Sequence, residues 1–133
     1  MKKIIAVLIL FYSVSNFSQN IEKKVDNNLY VMQGIEVKPE FPGGVEKLHS
    51  YIKENLKIVG VEMQTTAKVK TRSIGYANFV VEKDGSLSNV KVLGKIDSRK
   101  SEELIRVLKN SPIWTPGKQN KTIVRVDYVL PLY

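Results

Sequence analysis

The chain has 133 residues, no cysteine, one histidine and a formal net charge of +8 from 21 Lys and Arg against 13 Asp and Glu. Without cysteine there is no disulfide framework, no thiol nucleophile and no zinc site built from His and Cys. The basic residues are scattered, with no Arg-rich or Gly-rich tract, so the charge speaks for encounters with acidic surfaces rather than for nucleic acid.

The chain opens on "MKK", an apolar run "IIAVLILFY" and a small, polar exit "SVSNFSQN". A positive start, a short hydrophobic centre and small residues near the cut predict a secretory signal peptide over residues 1–18, cleaved after Ser15 or Ser18. Taken as one helix, Ile4 to Phe17 would span about 21 Å at 1.5 Å per residue, short of the roughly 30 Å hydrocarbon core. An uncleaved, short membrane anchor is the alternative. Removing residues 1–18 leaves about 115, enough for one domain with one modest core, and a net charge near +6.

Residues 19–36 have mixed polarity. Val25, Leu29 and Met32 could line a short helix, but Asn27 and Asn28 weaken it, and a flexible arm is the expectation. The domain proper is expected over residues 37–133. In "PEFPGG", Pro39 and Pro42 hold the chain extended while Gly43 and Gly44 permit a sharp turn, planting Phe41 as an apolar knob. Apolar residues at 45, 48, 52 and 56 then predict a helix with one buried stripe.

"GYANFVVE" reads as a strand with Ala77, Phe79 and Val81 on one face, Asp84 and Gly85 as a tight reversal, and "LSNVKVL" as its hairpin partner. Asp97 or Ser98 caps a second helix with Glu102 and Glu103 in or near its first turn and Leu104, Ile105 and Leu108 inward. Pro112 stops it, "WTPGKQNK" is an ordered turn region, and "TIVRVDYVLPLY" alternates Val124, Val126, Tyr128 and Leu130 on one face as a last strand. The order predicts an α+β domain, an antiparallel sheet of three strands, or four if "AKVKTR" forms its own, with two helices on one face.

Catalytic chemistry is poorly supplied, and no enzyme, metal site or cofactor is expected. His49 sits beside the first helix stripe and reads as a half-buried packing residue; adjacent Glu102 and Glu103 point in different directions and read as helix charges rather than an acid/base pair. "PGGVEKL" lacks the glycine pattern and lysine of a phosphate loop. Lys68, Lys70 and Arg72 form a basic stripe at strand spacing, read as a charged edge or solvated face, with an anionic contact surface as the alternative. Trp114 reads as a core anchor. What a sheet of three or four strands must offer is an edge, and an edge can take up an extended peptide as an added strand.

"PEFPGGVEKLHSYIKENL", "GYANFVVEKDGSLSNVKVL" and "SPIWTPGKQNKTIVRVDYVLPL", in this order and spacing, resemble the carboxy-terminal domain of the TonB family of energy transducers, in the form common in Bacteroidetes, over about residues 36 to 133. The resemblance implies a two-helix, three-strand domain that takes a short peptide of an outer-membrane receptor as an added strand. Carried onto this chain, the accepting edge strand is Thr122, Ile123, Val124, Arg125, Val126, Asp127, Tyr128, Val129 and Leu130. Phe41, Pro42, Gly43 and Gly44 match the family's entrance, Phe79 and Val81 its core strand, Asp84 and Gly85 its hairpin, and Trp114, Pro116 and Gly117 its turn, all as scaffold.

The chain departs from the family in lacking a proline-rich spacer, in the connection "KIVGVEMQ" after the first helix, and in its short, cleavable start. About 18 residues between the signal end and Val37 reach at most about 65 Å. The expected function is therefore an exported periplasmic protein-binding module that captures a peptide of an outer-membrane receptor or another envelope protein by strand addition. The alternatives are a membrane-held energy transducer and a structural or regulatory envelope protein that forms a homodimer through the same edge.

Overall fold

The computed structural model describes residues 27–57 and 74–133. The signal segment 1–18 and the basic stripe of Lys68, Lys70 and Arg72 lie outside the described residues. In chain order the elements are β1 (Leu29–Val31), α1 (Val45–Asn55), β2 (Gly75–Val81), β3 (Leu87–Gly94), α2 (Ser98–Lys109), β4 (Gly117–Gln119) and β5 (Thr122–Leu132). The α+β class holds, but among the described residues the sheet is mixed and has five strands, not three or four antiparallel ones; the "AKVKTR" segment lies outside the described residues. Its order is β1-β5-β2-β3, with β4 also on β5; β1 runs parallel to β5 and every other pair is antiparallel.

The "PEFPGG" turn works through its backbone. Gly43 and Gly44 take φ of 86° and 89°, conformations that side chains resist, and the Gly44 amide closes back onto the Phe41 carbonyl at 2.8 Å. The chain thereby enters α1, where Leu48 and Ile52 are fully buried and Val45, at the first position, remains exposed. In α2 the Asp97 carboxylate caps the Arg99 amide at 2.9 Å. Leu104, Val107 and Leu108 are its buried residues; Ile105, expected inward, is only half-buried, and Glu102 and Glu103 fall in the second turn rather than the first.

Both helices pack into one cluster with Ala77, Phe79 and Val81 of β2, Leu130 and Leu132 of β5, Phe41 and Trp114. A smaller cluster joins Ile35 to Val124 and Val126, with Tyr30 and Met32 packed against it. The flexible arm expected up to residue 36 is thus corrected from Leu29 onward: β1 is a strand of the sheet and Ile35 is core. Three-residue strands are too short for a period-two pattern to register, which is why β1 and β4 escape a reading by periodicity.

The β2–β3 turn is a three-residue loop. The Glu82 amide bonds the Ser86 carbonyl at 2.8 Å, the Gly85 amide bonds the Glu82 carbonyl at 2.9 Å, and the Asp84 carboxylate accepts from both the amide and the hydroxyl of Ser86. Gly85, at φ 83°, supplies the left-handed step that such a loop requires.

Candidate functional site

β5 is the strand on which the sheet is organised. Val124, Val126, Leu130 and Leu132 alternate into the protein and are buried, and Tyr128 is half-buried between them. Behind it lies an aromatic wall. Tyr128 stacks on Phe79 at 5.1 Å, both rings meet Trp114 edge-on at 5.2 and 5.4 Å, and Phe41 meets Trp114 at 5.6 Å. Such edge and offset contacts add to plain area burial and fix the strand's position. The same burial pushes the Tyr128 phenol above its ordinary pKa.

The pairing of β5 changes along its length. Thr122–Val124 pair with β4; Val126–Leu132 pair with β2; and Arg125, Val126 and Asp127 pair with Leu29, Tyr30 and Val31 of β1. Val126 and Asp127 therefore have a strand on both sides. From Tyr128 to Pro131 the flank opposite β2 is paired by no strand among the described residues.

The direction of the backbone groups on that flank follows from ladder alternation. The Leu132 carbonyl accepts from the Ile74 amide at 3.0 Å, so Leu132 directs its groups toward the β2 side. Alternation then directs those of Asp127, Val129 and Pro131 to the outer flank. Pro131, whose ring removes an amide, sits where β2 loses nothing by it, and this is the placement a proline requires inside a sheet. The outer flank thus offers the Val129 amide and carbonyl and the Pro131 carbonyl.

Polar side-chain contacts hold β5 between Arg125 and Tyr128. Arg125 donates to the two carboxylate oxygens of Glu82 at 2.7 and 3.0 Å, and this hydrogen-bonded guanidinium holds the Glu82 carboxyl below the usual range. Asn78 donates to the Asp127 carboxylate at 2.6 Å and to the Tyr128 carbonyl at 3.3 Å, tying β2 to β5 across the sheet. Lys83 reaches Asn27 at 3.3 Å, just ahead of β1.

The residues expected at the site divide accordingly. Thr122, Ile123 and Val124 pair with β4 on the flank that β2 continues; Arg125, Val126 and Asp127 pair with β1 on the opposite flank; and at Tyr128, Val129 and Leu130 that opposite flank is paired by no described strand. Of the scaffold set, Phe41, Phe79 and Trp114 meet in the core, while Asp84 and Gly85 form the hairpin loop, whose Gly85 carbonyl accepts from the Trp114 amide at 2.9 Å. Pro116 leads into β4, and a Cβ built on Gly117 would come within 2.6 Å of Val126. His49 is half-buried, with Nδ1 enclosed and no hydrogen-bond partner among the described residues, and desolvation holds its imidazole below the ordinary pKa.

Missing from the sequence reading were β1, β4 and the Glu82–Arg125 pair. The β4–β5 turn had a signal. Asn120 and Lys121, both at positive φ, are the two residues between strands that define a primed hairpin turn, and asparagine favours that backbone. In comparisons with protein-family models, curated proteins and solved structures, no match was found.

Proposed function

We propose that this protein is an exported, periplasmic protein-binding module that captures an extended peptide of an outer-membrane receptor or another envelope protein by strand addition, on a domain of the TonB carboxy-terminal type. The observation that carries the reading is the flank of β5 at Tyr128–Pro131, which no described strand pairs and which a rigid aromatic wall supports. The acceptor is narrower than the strand as a whole, because β1 lies along Arg125–Asp127 on that flank. Recognition here is through the backbone and needs no catalytic group.

Val129→Pro removes the outward amide without removing a β2 ladder bond, so it separates peptide capture from folding. A photo-crosslinking side chain at Tyr133, beside this flank in the chain, should trap an outer-membrane receptor or another envelope protein in intact cells. In the Val129→Pro background, with circular dichroism unchanged, that product should disappear. Trapping of the chain's own copy alone would replace this reading with self-association. Persistence of the partner product in a folded Val129→Pro protein would rule out strand addition at this edge.

A further inference from the structure

We infer that β1 is a built-in occupant of the peptide-accepting edge, and that the partner is an extended segment running parallel to β5 with large apolar side chains at alternate positions, which binds by taking the place of β1. This rests on the strand-addition reading above and specifies its register, direction and side-chain preference.

The open flank alone is short. Four residues at about 3.3 Å each give roughly 13 Å, and Pro131 contributes no amide. Adding the three residues now paired with β1 extends the acceptor to seven, roughly 23 Å, a normal strand length. A partner that begins at Arg125 and continues past Asp127 would therefore gain more of the ladder than β1 uses.

β1 is built to leave. It is three residues long, and Leu29 and Val31 are 50% and 57% exposed. The chain behind it is anchored independently. The Glu36 amide donates to the Gln119 side-chain oxygen at 3.1 Å, the Glu36 carboxylate accepts from the Asn120 amide at 3.0 Å, and Val37 exchanges two backbone bonds with Lys118. Between anchor and strand stands Gly34 at φ 84°, with none of the described residues within 4 Å of where a Cβ would be. The hinge is thus at Gly34, and displacement of the preceding residues leaves Ile35 in its cluster.

β1 also displays what the edge selects. Tyr30 and Met32, two residues apart, pack against Ile35, Val124 and Val126, while Leu29 and Val31, which alternate with them, face outward. A competing segment needs apolar bulk at those two alternate positions and tolerates polar residues between them.

The test uses the full chain and a fluorescent peptide of its own residues 27–33, "NNLYVMQ". When β1 fills the edge most of the time, the apparent Kd is raised by the reciprocal of the vacant fraction. Tyr30→Pro should therefore bind the peptide at least about tenfold more tightly than the unaltered chain. Gly34→Ala leaves Tyr30 in place but strains the turn, and should tighten binding by about fivefold, the equivalent of roughly 1 kcal/mol of left-handed backbone cost. A peptide with alanine at both apolar positions should not bind. Equal binding to all three proteins, or binding to none, overturns the inference. A crosslink at Tyr133 that survives in either case leaves the strand-addition reading standing, so the two failures are distinguishable.

Discussion

Replacing Gly85 with alanine separates backbone conformation from close approach. Gly85 lies at φ 83°, where an L-residue costs about 1–2 kcal/mol. A Cβ built there would lie 2.0 Å from the Trp114 carbonyl oxygen and 2.7 Å from the Ile113 side chain, so the hairpin loop and the Trp114 turn must move apart. Overpacking of that kind costs typically about 1–3 kcal/mol, and straining the Trp114-to-Gly85 hydrogen bond adds up to about 1 kcal/mol. The expected loss is roughly 2–6 kcal/mol. Gly34 provides the internal control, having φ 84° with nothing among the described residues within 4 Å of a built Cβ, so Gly34→Ala should lose only the backbone component, about 1–2 kcal/mol at most. Urea titration followed by Trp114 fluorescence reads both. At about 2 kcal/mol/M, the middle of the usual range, the Gly85→Ala midpoint should fall by about 1–3 M and the Gly34→Ala midpoint by clearly less. Equal midpoints for the two variants would refute the claim that Gly85 is there to let the loop reach Trp114.

Two further outcomes follow from local chemistry. Lys121 holds φ 61° in the turn between β4 and β5, a position suited to glycine, so Lys121→Gly should stabilise the protein by up to about 1 kcal/mol and raise Tm by a few degrees; an unchanged or lower Tm would contradict the primed-turn geometry. Acid should weaken the fold in two separate ranges. Burial holds His49 below its ordinary 6.5, against a smaller opposing pull from Glu46, so the unfolded state binds that proton more readily and stability falls as pH drops through about 6.5. Hydrogen bonds from Arg106 and the Lys57 amide hold Glu103 down at about 2, and Arg125 lowers Glu82, so their contributions are present above 4.5 and are lost as pH falls from there toward about 2. Denaturation midpoints against pH should show both steps, and His49→Leu should erase the upper one alone. An upper step that persists in that variant would assign it to another group.

The sequence by itself determined whatever depends on neighbours in the chain. Gly43 and Gly44 turn because only glycine takes their φ freely, the stripe at Leu48 and Ile52 makes a one-sided helix, and Asp97 caps α2 through an amide two residues away. Asp84 and Gly85 close their hairpin locally, and the alternation from Val124 to Leu130 makes β5 a strand wherever it lies. Those residues also made a strand edge the natural candidate site. Which part of β5 would be an edge was decided by tertiary structure, since it turns on strands from elsewhere in the chain. β1 arrives from nearly a hundred residues upstream, and neither it nor β4 carries enough residues for a periodic signal. An edge is defined by what fails to pair with it, so the flank at Tyr128–Pro131 that no described strand pairs, and the place of β1 beside it, exist only once the sheet has assembled.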